Sequence, residues 1–278
     1  NSVTIGVLPN DTDTEGDTLT VTSIDDSGLT GGSATLNGDN TITFDPGTDF
    51  ENLAVGETAT ETLTYVVEDG NGGSDTATVT ITVEGENDDP VAVDDTGVGD
   101  EDMSITGNVV TNDTDVDGDT PLTVVSNTTP AHGTLAIAAN GAYTYTPDPD
   151  YNGLDSFTYT IEDPNGGSDT ATVTLTINPA NDPPIAVDDS DSTTENAVVT
   201  IDVLDNDTDI EDDTLTVTSI DDGGLTGGSA TLNGDSTVTF DPGSDFDSLA
   251  VGETATETLT YVVEDGNGGS DTATITVT

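Results

Sequence analysis

Residues 76–83 read Thr76-Ala77-Thr78-Val79-Thr80-Ile81-Thr82-Val83, and this strict alternation of apolar side chains with threonine decides the fold. A strand turns successive side chains to opposite faces, so one face of this segment is apolar and the other hydroxylated. Phe157, Tyr159 and Ile161, alternating with Thr158 and Thr160, repeat the pattern. Runs of this period, rich in Thr and Val, are half-buried strands. Turn signals fall between them at roughly 8 to 12 residues, at Asn37-Gly38, Asn71-Gly72, Asn140-Gly141, Asn152-Gly153 and Asn165-Gly166, a spacing suited to the hairpins of a sandwich. No segment has helical periodicity. The reading is all-β, with antiparallel β-sandwich domains of about seven strands each.

The alternating segments belong to a repeat. Residues 1–82 and 197–278 are identical at about 68 of 82 positions, which points to tandem duplication. A more divergent copy lies between them and shares Asn112-Asp113-Thr114-Asp115 with Asn10-Asp11-Thr12-Asp13, and Asn165-Gly166-Gly167-Ser168-Asp169-Thr170 with Asn71-Gly72-Gly73-Ser74-Asp75-Thr76. Copy-to-copy spacings of about 94 and 102 residues are each the size of one small sandwich. The expected domains are 1–86, 87–180 and 181–278, in the order A-B-A. The Pro-bearing linkers Glu86-Asn87-Asp88-Asp89-Pro90 and Asn181-Asp182-Pro183-Pro184 are too short for flexible tethers. Strands of about ten residues at 3.3 Å each, with the linker, give about 40 Å per domain, and end to end a rod on the order of 120 Å. The chain begins at Asn1 rather than Met, and the first copy lacks the opening strand that Val91–Asp95 and Ile185–Asp189 supply in the others. Residue 1 is read as a cut in a longer array, with donation of the strand by a neighbouring molecule as the alternative.

The 278 residues include no Lys, no Arg, 57 acidic residues and one His, for a formal charge of −57. Phosphates are neutralised by Lys and Arg, so nucleic-acid binding is excluded. P-loop lysines and Schiff-base lysines are equally impossible. Without Cys there are no disulfides, thiolate metal sites or cysteine nucleophiles. No apolar run approaches the roughly 18 residues of a membrane span, so direct membrane insertion is not expected. His132 has no counterpart in the other copies, and the paired carboxylates recur in every copy at turns. Repetition of that kind indicates structure, and an enzyme reading is set aside.

With no basic residue available, clustered carboxylates are neutralised by protons, solvent cations or bound metal. The copies carry Asp11-x-Asp13-x-Glu15-Gly16-Asp17, Asp113-x-Asp115-x-Asp117-Gly118-Asp119 and Asp207-x-Asp209-x-Glu211-Asp212-Asp213. Alternate carboxylates around a tight turn aim several oxygens at one centre, matching the six to eight oxygen ligands of Ca²⁺. This is no EF-hand, since Val124 stands where the twelfth-position Glu is required. The missing ligands must come from elsewhere. In a Greek-key sandwich the second-to-third loop and the last hairpin lie beside the preceding linker. That topology gathers the Asp-rich loop with Asn87, Asp88, Asp89, Asp94, Asp95 and Asp163 in the second copy, and with Asn181, Asp182, Asp188 and Asp189 in the third. Several Ca²⁺ ions, mainly at the domain junctions, are therefore expected, with solvated acidic turns as the alternative.

Copy two, from Asn87-Asp88-Asp89-Pro90-Val91-Ala92-Val93-Asp94-Asp95 through Asn112–Asp119 to Asp155–Asp163, resembles the cadherin-like tandem repeats of bacterial surface proteins. Copies one and three, with Leu53–Tyr65 and Leu249–Tyr261, look like the VCBS repeats of giant RTX-type adhesins. The resemblance covers essentially the whole chain and implies Ig-like/cadherin-like domains acting as a calcium-stiffened extender of an extracellular, cell-surface adhesin in biofilm or matrix, in a marine or saline setting. It also implies neighbouring repeats of the same chain as the partners. Two further readings are a self-assembling filament or surface layer, with copies of the chain as partners, and a Ca²⁺-dependent carbohydrate- or protein-binding module. The substitution of Asp212 for the glycine of the other loops puts the geometry of that loop in question.

Overall fold

The computed structural model describes residues 1–278. All 20 named strands are joined by turns and two short 3₁₀ segments, and there is no α-helix. The chain divides into two compact units, 1–178 and 179–278.

The first unit holds two cores. The first is enclosed by β1 (Val3–Gly6), β2 (Thr20–Asp25), β3 (Ser33–Leu36), β4 (Thr41–Asp45), β5 (Thr58–Glu68) and β6 (Ser74–Glu84), in sheets ordered β2-β5-β6 and β1-β4-β3. The second is enclosed by β7 (Asp95–Asp100), β8 (Ile105–Asn108), β9 (Thr123–Asn127), β10 (Gly133–Ile137), β11 (Ala142–Pro147), β12 (Gly153–Glu162) and β13 (Ser168–Asn178), in sheets β7-β13-β12-β9 and β10-β11-β8. The second unit repeats this plan with β14 (Asp189–Asp191), β15 (Val199–Ile201), β16 (Thr216–Asp221), β17 (Ser229–Leu232), β18 (Val238–Asp241), β19 (Glu257–Glu264) and β20 (Ser270–Val277), in sheets β14-β20-β19-β16 and β15-β18-β17.

Alternation decides which side chains enter each core. On β12 and β13, Phe157, Tyr159, Ile161, Val173 and Leu175 are at most 2% exposed, and the intervening threonines pair across the outer face, Thr158 with Thr172 and Thr160 with Thr170. The strand aromatics Phe44, Tyr65, Tyr145, Phe157, Tyr159, Phe240 and Tyr261 are all buried. One feature departs from the antiparallel expectation. β7 runs parallel to β13, and β14 parallel to β20. The chain leaves each linker alongside the last strand of its own domain and in the same direction, which makes these sheets mixed.

The inward rows of β5, β12 and β19 each contain one acid where an apolar residue would be expected, namely Glu61, Asp155 and Glu257, 1 to 7% exposed. A buried carboxylate must be hydrogen-bonded. Asp155 accepts from the amides of Ala131, His132 and Ser156 and from the Tyr145 hydroxyl, while Glu61 and Glu257 accept from the amide and hydroxyl of Thr30 and Thr226. Each acid thus pins a crossing loop to the central strand.

Candidate cation centres

Each Asp-rich loop is folded by its second carboxylate. Asp115 Oδ1 accepts from the amides of Asp117 and Asp119, Asp13 Oδ1 from Glu15 and Asp17, and Asp209 Oδ1 from Glu211 and Asp213. This is the side-chain-to-backbone turn that Asp favours. The third residue after it, Gly16, Gly118 or Asp212, takes a positive φ of 80°, 73° or 59°. Asp tolerates this left-handed conformation, so the third loop keeps the geometry of the other two despite losing its glycine.

Folding the loop occupies one oxygen of that carboxylate and leaves the other. Asp115 Oδ2 and Asp209 Oδ2 are buried without a hydrogen-bond partner, as are Asp117 Oδ1 and Asn87 Oδ1. Buried oxygens of this kind cost free energy unless something positive meets them, and the chain holds no Lys or Arg.

Two further segments reach the same pole. In the second domain, the Asp88 amide donates to Asp117 Oδ2 at 2.8 Å and Asn87 Nδ2 to Asp163 Oδ2 at 3.0 Å. In the 179–278 unit, the Asp182 amide donates to Glu211 Oε2 at 3.3 Å and Asn181 Nδ2 to Asp265 Oδ2 at 2.8 Å. The last hairpin is itself built on a carboxylate: Asp163 Oδ1 accepts from the amides of Asn165, Gly166 and Gly167. Burial pushes Asp163 up, but the Asn87 amide and these three N–H groups outweigh it and hold the acid below the usual carboxylate range. For Asp265 the Asn181 amide is the leading cause of the same lowering. A Cβ at Gly167 would collide with Asp163 and lie 2.8 Å from both Asn87 Nδ2 and Asp89 Oδ1. Only glycine lets the linker approach this closely.

The ligand sets differ among domains. In the first, single oxygens of Asp13, Asp17 and Asp69 lie within 4.8 Å of one another, and Asp13 and Asp69 line a cavity of about 370 Å³ together with Asp11 and Asp75. In the 179–278 unit, Asp209, Glu211 and Asp213 are grouped as closely. The Glu15 side chain is exposed and is not part of the first group.

The opening-strand acids serve different ends. Asp94 Oδ1 accepts from the Thr172 amide and Asp188 Oδ1 from the Thr274 amide. One oxygen of each thus docks the first strand of its domain on the last strand. Asp95, Asp113 and the Val93 and Val109 carbonyls surround the Tyr159 hydroxyl at 3.0 to 3.1 Å. Asp207 with the Val187 and Val203 carbonyls does the same at Tyr261, and Asp11 with the Val7 carbonyl at Tyr65. Burial and the Asp11 carboxylate push the Tyr65 hydroxyl up to about 12. Asp189 is raised to about 6, by burial first and then by the Asp207 and Asp188 charges, against the Tyr261 and Asn206 hydrogen bonds. Burial likewise raises Asp95, Asp113 and Asp207.

Sequence reasoning named Asp163 but not its counterparts Asp69 and Asp265, nor the hairpin asparagines Asn71, Asn165 and Asn267. The signal was Asp-x-Asn-Gly-Gly, present in all three copies at 69–73, 163–167 and 265–269. His132 is stacked on Tyr151, ring centroids 4.1 Å apart, and only its backbone joins the Asp155 network.

The donor set is all oxygen: carboxylates, a linker amide carbonyl and, nearby, backbone carbonyls. It fits a hard cation of the Ca²⁺ type and offers no thiolate or imidazole to a softer one.

Residues 87–176 and 181–278 match the sequence model of the bacterial Ig domain, and residues 1–85 that of the bacterial cadherin-like domain. No curated protein sequence matches the chain. Among solved structures, the chain is similar to Drosophila N-cadherin EC1-4, at 15% identity over 96% of this chain and 68% of that one, with a TM-score of 0.40. It is also similar to mouse clustered PcdhgC3 EC1-3, at 15% identity over 93% of this chain and 87% of that one, with a TM-score of 0.46.

Proposed function

The chain belongs to the bacterial Ig domain family, with a bacterial cadherin-like domain over its first 85 residues, and we propose that as such it is a Ca²⁺-stiffened extender of an extracellular bacterial adhesin. Domains of these two kinds are structural and adhesive modules, typical of extracellular proteins. The finer reading is that Ca²⁺ binds at the linker-proximal pole of each domain and there joins the Asp-rich loop to the linker. Neighbouring repeats are then the partners, and a cell surface in calcium-containing, saline water is the setting.

One observation carries this reading. Asn87 Oδ1, Asp115 Oδ2 and Asp117 Oδ1 are buried without partners on the linker and loop of one domain, in a chain with no basic side chain to meet them. In the second domain Asn87, Asp88, Asp89, Asp115, Asp117, Asp119 and Asp163 would hold the ion, and in the third Asn181, Asp182, Asp209, Glu211, Asp213 and Asp265. The first domain would use Asp13, Asp17 and Asp69. The ion supplies positive charge and six to eight oxygen contacts. The chain's own residues fold the loop, dock the linker on the hairpin and exclude water from the oxygens between them. Because a ligand that binds only the folded state stabilises it by mass action, the full chain should melt higher in Ca²⁺ than in EDTA. Identical melting curves in the two would refute the proposal.

A further inference from the structure

The last hairpin of every domain makes a contact that the expected ligand set does not require. Asn71 Nδ2 donates to Asp17 Oδ2 at 2.8 Å, Asn165 Nδ2 to Asp119 Oδ2 at 2.5 Å and Asn267 Nδ2 to Asp213 Oδ2 at 2.6 Å. The acceptor is in each case the last carboxylate of the Asp-rich loop, 46 to 54 residues away in sequence. The first and second copies differ widely elsewhere, so the bond persists across divergent sequence contexts. The asparagine is held for this task, because its own amide N–H is fixed on the hairpin carboxylate Asp69, Asp163 or Asp265 at 2.7 Å. In the second domain and the 179–278 unit that same hairpin carboxylate takes the linker asparagine on its other oxygen.

We infer that Asn71, Asn165 and Asn267 are positioning residues that clamp the last loop carboxylate before any cation arrives, and that the hairpin couples loop order to linker order. This rests on the cation reading above. Four carboxylates in a seven-residue loop, five in the third copy, repel one another, and without a fixed donor the last of them would swing into water. An amide is suited to the position because it donates without adding a positive charge that would compete with the cation. It holds one carboxylate oxygen and leaves the other for coordination. A Lys or Arg in its place would neutralise the site permanently. The asparagines are exposed, so their removal opens no cavity, and the price of losing the clamp is paid in cation affinity.

The test uses the full chain and calcium chloride, followed by titration calorimetry. Asn71→Ala, Asn165→Ala and Asn267→Ala are made together, so that every centre reports. A net hydrogen bond of about 1 kcal/mol corresponds to a factor of about five, and the variant should bind Ca²⁺ roughly two- to tenfold more weakly while its melting temperature in EDTA stays close to that of the parent. In a background carrying Asp17→Ala, Asp119→Ala and Asp213→Ala, which leaves the asparagine amides no acceptor, the same three alanines should weaken Ca²⁺ binding no further, since their route to the ion is through those carboxylates. Unchanged Ca²⁺ affinity overturns the clamp and leaves the cation reading standing, as does a fall in EDTA melting temperature with affinity intact, which makes the bond purely structural. A parent chain that takes up no Ca²⁺ overturns the cation reading and the clamp with it.

Discussion

Replacing Asp155 with Ala should unfold the second domain at a much lower temperature, and replacing it with Asn should be nearly as damaging. The side chain is 7% exposed and both of its oxygens are used twice. Oδ1 accepts from the Ala131 and Ser156 amides at 3.0 and 2.8 Å, and Oδ2 from the His132 amide and the Tyr145 hydroxyl at 2.8 and 2.9 Å. Hydrogen bonds to a charged group contribute about 1.5–3 kcal/mol each. On truncation the exposed loop amides of Ala131 and His132 regain water, and Tyr145 keeps the His132 carbonyl as an acceptor. The net cost should therefore be about 2–4 kcal/mol. For a domain of roughly 90 residues this is a fall on the order of 10–25 °C. Asparagine retains the shape, yet whichever oxygen becomes NH₂ then faces two donors. Four of the six tyrosines, Tyr143, Tyr145, Tyr151 and Tyr159, lie in this domain, so near-UV circular dichroism follows its unfolding within the full chain. An Asn variant that melts with the parent would refute the reasoning, because the four donors would then not need a carboxylate.

Three other outcomes follow from the same structure. Asp189 has its folded pKa raised to about 6, with burial as the leading cause; its contribution is fully present below the unfolded value and is lost as pH rises through about 6. In EDTA the 179–278 unit should therefore melt higher at pH 5 than at pH 7.5, and Asp189→Asn should shrink that difference. Asp155 and Asp163 are held below the usual range, so their contribution is present above the unfolded value and is lost in acid, as pH falls through their folded pKa. A titration from pH 5 to pH 2 should lower the melting temperature of the second domain, and less so in Asp155→Ala. Asp212 sits at a φ of 59°; Asp212→Gly should be neutral or slightly stabilising, and Asp212→Ala should cost about 1 kcal/mol, measured by denaturant unfolding.

The strands were legible because Thr/apolar alternation has only one structural solution when half the side chains must be buried. The A-B-A repeat then located equivalent residues, and the Greek-key path explains why linker, Asp-rich loop and last hairpin meet at one pole. Four features were hidden for physical reasons. Asp94 and Asp188 stand in a run of acids that reads as ligands throughout, and the sequence does not show that one oxygen of each takes the Thr172 or Thr274 amide and docks the opening strand. The parallel pairing of β7 and β14 follows from where the linker delivers the chain, which alternation does not encode. Glu61, Asp155 and Glu257 occupy positions where the period predicts an apolar residue, so their identity marks a loop anchor only once the crossing loop is seen. The hairpin asparagines were read as turn residues, as Asn-Gly usually is, while their side chains have a second use across the fold.

The central claim is that the buried loop and linker oxygens form cation centres, and the most direct measurement is titration calorimetry of the EDTA-treated full chain with Ca²⁺, with the melting temperature recorded at each end. The account predicts saturable binding of several ions and a higher melting temperature in the saturated chain, both reduced when Asp115 and Asp117 are changed to Asn. Heats indistinguishable from dilution, with a melting temperature that ignores Ca²⁺, would contradict it.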